Sequence, residues 1–172
     1  GLMTAIFLSK VAPPKVAAVV RPAVDLLAGI PSVVYGLVGM IVLVPAVRVF
    51  FNLPDGASLF SAMLVLAVMI LPSIISVSET ALKAVPKEYE EASLALGATH
   101  IETVFRVSVP AASSGIAASI VLGIGRAIGE AMAVIMVAGN QARMPQGLFK
   151  GLRTLTTNIV MEMGYSADLH RE

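Results

Sequence analysis

Arg126 and Glu130 stand four residues apart inside a run, Val107 to Asn140, that is otherwise small or apolar. On one helix that spacing places both side chains on one face, about one turn apart. An arginine at mid-bilayer costs about 2.5–3.5 kcal/mol on insertion scales, so such residues face a pathway or a partner. The guanidinium is a planar fork of donors that matches the oxygens of an oxyanion. A carboxylate one turn away would limit how tightly the anion is held, so that it can leave. The competing reading is an intramembrane ion pair that fixes helix packing. Gly125 and Gly129 favour it, because their small-xxx-small spacing lets helices approach closely. The residues alone leave both readings open.

A second group lies in the polar stretch Glu79 to Arg106, which holds five of the chain's eleven acids. Pro86 suits the first position of a helix, and Glu88, Glu90 and Glu91 suit its positive end. Gly97 is placed to stop that helix in a left-handed turn. Thr99 and Glu102 then have capping-box spacing, opening a second helix whose Ile101, Val104 and Phe105 share a face. The prediction is helix, glycine turn, helix. The first helix presents Tyr89, Ala92 and Leu96 beside an acidic edge, either to a partner or simply to the membrane surface.

The elements that must position these groups belong in a bilayer. Of 172 residues, 57% are hydrophobic and 13% charged, with a mean hydropathy of +0.88; soluble domains carry about 25% charged residues. Leu26–Val47 gives 22 residues without a charge and Gly56–Ser78 gives 23, against roughly 20 needed to cross a bilayer. Asn52-Leu53-Pro54-Asp55-Gly56 between them is a turn by composition. Val107–Asn140 reads as a third span, starting near Pro110. Pro31 and Pro72 sit where helices begin or kink. Leu148, Leu152, Leu155 and Ile159 recur at helical spacing, predicting an amphipathic surface helix. Leu2–Ser9 is apolar but too short to cross, and reads as the end of a span whose start precedes Gly1. The chain is thus expected to be a fragment. Six cations on one side of this topology against five on the other leave orientation open by charge alone.

Several chemistries are excluded. A net charge of +1 gives no electrostatic case for nucleic acid. The absence of cysteine rules out disulfides and thiol chemistry. His100 and His170 are far apart in sequence, and each reads as solvated or capping. No Ser/His/Asp set or metal-spaced cluster is present, so no catalytic or metal-binding residue is assigned. There is no Gly-x4-Gly-Lys-[Ser/Thr] sequence, so the chain lacks the phosphate cradle of a P-loop ATPase.

The polar stretch carries a resemblance. Glu91-Ala92-Ser93 is followed after three residues by Gly97, and nine residues later by Val107-Ser108-Val109-Pro110. This resembles the E-A-A loop of binding-protein-dependent ABC importer permeases, with Ser93, Val107 and Val109 as conservative departures. Ala28-Gly29-Ile30-Pro31-Ser32-Val33-Val34-Tyr35-Gly36-Leu37 and Gly123-Ile124-Gly125-Arg126-Ala127-Ile128-Gly129-Glu130 are similar to segments of phosphate permeases, the second to the C-type subunit. The resemblance covers nearly the whole chain.

It implies an all-α, polytopic transmembrane bundle: one permease domain over residues 1–172, with residues 79–106 as a cytoplasmic coupling loop. It further implies that the first spans and a final one, just beyond Glu172, are missing. Tyr89, Glu91, Ala92, Ser93, Leu96 and Gly97 would couple to an ATPase subunit, and Arg126 and Glu130 would line the translocation pathway. Pro31, Gly36, Pro110, Gly125 and Gly129 would shape helix packing and kinks. The implied partners are a second permease subunit, two ATPase subunits, an extracytoplasmic phosphate-binding protein and the lipid of a bacterial or archaeal inner membrane. No cofactor is expected on this chain, with ATP and Mg2+ on the partner ATPase. Two alternatives stay open: another oxyanion such as molybdate or sulfate as cargo, or a membrane sensor or scaffold that transports nothing.

Overall fold

A computed structural model describes residues 1–144 and 146–163; His170 and the expected final span lie outside these residues. Nine helices are described: α1 Leu2–Val11, α2 Pro14–Gly29, α3 Ser32–Phe50, α4 Leu59–Lys83, α5 Lys87–Ala95, α6 His100–Ala111, α7 Ser113–Gly129, α8 Met132–Val137 and α9 Leu155–Glu162. Among the described residues the only β pairing is an isolated bridge between Gly139 and Leu152. The all-α expectation holds.

Two helices, α3 with 19 residues and α4 with 25, are long and apolar enough to cross a membrane. They match the two charge-free runs, and the turn between them bends at Asn52, whose φ is 51°. There the Asp55 carboxylate accepts the Ala57 N–H at 3.0 Å. The third run departs from expectation. It is not one helix: α6 and α7 meet at a 69° bend, and α7 ends at Gly129. If the bent pair counts as one span, there are up to three among the described residues.

The helices widen ahead of prolines. Single π-turns occur at Phe7–Val11, Gly39–Leu43 and Val104–Ser108. Each ends two residues before a proline: Pro13, Pro45 or Pro110. A proline ring clashes with the carbonyl four residues back and offers no N–H to it. For Pro45 and Pro110, which lie in helices that continue, that carbonyl falls inside the widened turn, which relieves the clash; before Pro13 the chain has already left the helix at Ala12, whose ψ is 133°. Pro110 therefore lies within a helix that has already begun, rather than at the start of a span. Pro31, with φ −59° and ψ 142°, directly precedes α3 and begins it.

The chain packs as two compact units. The first takes Gly1–Gly29 and Ile70–Gly125. Its core is Ala5, Ile6, Leu8, Ile75, Leu82, Val85, Val104, Ala112 and Ile116. A buried hydroxyl pair, Ser78 and Ser119 at 2.8 Å, joins α4 to α7 within it. The second unit takes Ile30–Met69 and Arg126–Glu172. Its core is Ala62, Val65, Ala133, Val134, Val137 and Ala138. Here α8 lies so close to α3 that a Cβ on Gly36 would stand 2.8 Å from the Ala133 Cα. Gly36 thus lies at a close helix contact.

In the second unit the irregular stretch after α8 caps α4. The first amides of α4 donate to it, Leu59 to the Lys150 carbonyl at 3.1 Å and Phe60 to the Leu148 carbonyl at 2.8 Å. This use of its backbone overrides the helical spacing of Leu148 and Leu152. The amphipathic helix begins only at Leu155, where the Thr154 hydroxyl accepts the Thr157 N–H.

Candidate functional site: the polar hairpin and the charged break

The hairpin of α5 and α6 belongs to the first unit. Helix α5 starts directly after Pro86, with Glu88 and Glu90 in its first turn. It ends in a Schellman motif: the Gly97 N–H donates to the Leu94 carbonyl at 2.9 Å and the Ala98 N–H to the Ser93 carbonyl at 3.3 Å. Gly97 has φ +89°, and no heavy atom lies within 4 Å of a built Cβ. Glycine is needed there for conformation alone, since the left-handed region penalises any side chain. Thr99 and Glu102 then form both halves of a capping box, with the Thr99 N–H donating to Glu102 Oε2 at 3.0 Å.

Exposed apolar side chains stand among charged ones on the hairpin. No residue of α5 is buried, and Leu96 at the turn is 90% exposed. Tyr89, Leu94, Ile101 and Phe105 are exposed beside it, as are Glu91 and Ala92. Ser93 differs from the other residues assigned to coupling. Its hydroxyl lies 3.0 Å from that of buried Thr103 and ties α5 to α6. Its role visible here is internal.

The inward side is anchored by polar contacts that local sequence signals do not reveal. Lys10, at the end of α1, pairs with Glu90. The same carboxylate oxygen accepts the Ser108 hydroxyl at 2.8 Å. His100, expected to be solvated or capping, places Nε2 2.9 Å from the Lys10 carbonyl. Burial alone would raise the Glu90 carboxyl. The bonds from Lys10 and Ser108, with the charges of Lys10 and His100, outweigh it and hold the group below its ordinary value. A second ionic cluster joins α2 to α4: Glu79 takes Arg21 at 2.6 Å and Lys83 at 2.7 Å. No short-range signal could have found Lys10 opposite Glu90, because eighty positions separate them.

The charged pair lies in the second unit. Arg126 is half-buried in the last turn of α7. Glu130 falls past the end of that helix, so the two do not share one helical face. The Glu130 carboxylate instead accepts the Ala133 N–H at 3.0 Å, at the start of α8. Its carbonyl accepts the Thr156 hydroxyl at 3.3 Å. Gly125 and Gly129 are exposed, and a Cβ on either would meet nothing within 4 Å. The close approach that their spacing permits is made by Gly36 instead. Among the described residues no three His, Asp or Glu side chains are grouped to hold a metal ion.

Comparison with known proteins adds to this geometry. Residues 1–167 match the family described as binding-protein-dependent transport system inner membrane component. The chain is 46% identical, over 96% of its length and 54% of the relative's, to the probable ABC transporter permease protein YqgH of Bacillus subtilis. It is 36% identical to the phosphate transport system permease protein PstC of Haemophilus influenzae, over 97% of this chain and 59% of that one. With the protein of the same name from Mycobacterium leprae it shares 37% identity, over 90% of this chain and 54% of that one. The chain therefore spans somewhat more than half the length of these relatives.

Proposed function

This chain belongs to the binding-protein-dependent transport system inner membrane components, and we propose that it is part of the permease subunit of an ATP-driven phosphate importer. The observation that carries the proposal is the hairpin of α5 and α6. It is a capped element between α4 and α7, with exposed apolar residues at its turn, in a permease-family chain. A rigid element with an exposed apolar turn suits docking on a partner, and its anchored inner side suits the transfer of motion. Phosphate as cargo is supported by the similarity to proteins named PstC.

In this reading the hairpin lies in the cytoplasm of a bacterial or archaeal cell whose inner membrane holds the spans. Tyr89, Glu91, Ala92, Leu96 and Gly97 form the docking side. ATP and Mg2+ bind the ATPase subunits, two per complex, beside a second permease and an extracytoplasmic phosphate-binding protein. Arg126 faces the pathway with its forked donors, and Glu130 sets the break in the backbone beside it. Such breaks are tolerated at membrane depth where they are buried in protein or line a water-filled cavity.

The test is uptake of labelled phosphate by the full-length protein with its partners, in cells lacking their own high-affinity system. Unlabelled sulfate and molybdate are added as competitors. Uptake that persists against both supports phosphate, and uptake abolished by either moves the cargo to that oxyanion. An Arg126→Gln variant that assembles and transports normally would return Arg126 to a packing role.

A further inference from the structure

We propose that Lys10 and Glu90 form a closed joint, the inner half of the coupling hairpin, through which α1 moves with α5 and α6 as one piece. The inference rests on the transport reading above and concerns how motion leaves the hairpin once a partner has pushed it.

The geometry of the joint is specific. The end of α1 meets the hairpin at two points. The Lys10 ammonium pairs with Glu90 on α5, and the Lys10 carbonyl lies 2.9 Å from His100 Nε2 at the start of α6. Glu90 is held in turn by Ser108, further along α6, at 2.8 Å. One residue of α1 thus grips both arms of the hairpin, while the Ser93–Thr103 hydroxyl contact holds the arms to each other. The side chains of Lys10 and Glu90 are 12% and 20% exposed, so water screens the pair weakly. Behind them Ala5, Ile6 and Leu8 of α1 share a buried cluster with Val104 of α6. Apolar packing resists separation in any direction but not sliding. The directional contacts of Lys10 are what oppose sliding of α1 along the hairpin. Lys10 and Glu90 are therefore positioning residues, distinct from the outward residues Tyr89 and Leu96.

The experiment uses the full-length protein assembled with its ATPase and partner permease. Phosphate uptake and ATP hydrolysis are measured together on each complex. A half-buried charge-assisted contact corresponds to a change of about tenfold or more. Glu90→Gln and Lys10→Met are each expected to lower uptake per ATP hydrolysed by about that factor. ATPase association stays at the wild-type level, and the exchanged pair Lys10→Glu with Glu90→Lys recovers most of the loss. If Glu90→Gln fails to assemble, Lys10→Met makes the same test from the other side.

In a complex whose other cysteines have been replaced, Lys10→Cys with Glu90→Cys can be bridged selectively by a short bismaleimide. A joint that stays closed predicts that bridging restores uptake. Loss of all uptake on bridging would show a contact that must open in each cycle, and would overturn the inference. So would single variants that transport like wild type. A wild-type complex without ATP-dependent uptake would remove the transport reading itself, and the joint with it.

Discussion

The hairpin and the charged break hold their shapes by different shares of local and distant contacts. Between Pro86 and Glu102 almost every feature is local: a proline before the first helix, glycine at the turn, and Thr99 and Glu102 closing a box three residues apart. Between Arg126 and Ala133 one local contact is joined by distant groups. Glu130 turns out of α7 to cap α8, Thr156 reaches back to its carbonyl, and α8 packs on Gly36. Local encoding suits an element that must stay rigid while exposed. Tertiary encoding suits a region whose helix is interrupted.

The largest effect expected on this contrast comes from Gly36→Leu. A Cβ there would stand 2.8 Å from backbone of α8, and overpacking costs typically about 1–3 kcal/mol. The second unit should lose thermal stability in detergent while the hairpin keeps its hydrogen-exchange protection. Gly125→Ala and Gly129→Ala, with open space at both positions, should leave stability nearly unchanged. A loss there equal to that of Gly36→Leu would mean that these two glycines pack against something.

Next is Gly97→Val, which forces a β-branched residue to φ +89° at a cost of roughly 1–2 kcal/mol. Proteolysis at the turn should increase, and core packing of the first unit should not change. Thr99→Ala removes the cap acceptor for Glu102 N–H and should cost about 1 kcal/mol, read as faster amide exchange in the first turn of α6.

The smallest effect is one of pH. The Glu90 carboxyl is held below its ordinary value in the fold, so its contribution is fully present above the ordinary value of about 4.3. It is lost as pH falls from there through the lower folded value. Lys10 and His100, the titratable groups that face Glu90, lie at the same junction. Protection of α5 amides, relative to their intrinsic exchange rate at each pH, should therefore fall on acidification in wild type and stay level in Glu90→Gln. Equal pH dependence in both would place the sensitivity elsewhere.

These differences also explain what could be read without a structure. The two spans followed from the absence of charge, and the hairpin from residues whose conformational preferences act over three or four positions. The third span was misjudged because apolar composition records only affinity for lipid. It does not record that Glu130 would give its carboxylate to the Ala133 amide, or that α6 and α7 would meet at 69°. Leu148 and Leu152 had helical spacing, yet the carbonyls around them cap α4. Lys10 looked like an ordinary flanking cation, and only the fold brings it to Glu90. The π-turns before Pro45 and Pro110 relieve a local clash, yet Pro22 and Pro72 lie inside helices that do not widen, so proline alone does not foretell them.

The measurement that tests the central claim most directly is co-purification of the ATPase subunit with the full-length protein, wild type beside Leu96→Asp. Leu96 is 90% exposed, so the substitution does not touch the core. If the hairpin is the docking element, the variant reaches the membrane in normal amount but no longer retains the ATPase, and phosphate uptake falls with it. A variant that retains the ATPase and transports as wild type does would contradict the assignment of the hairpin as the coupling site.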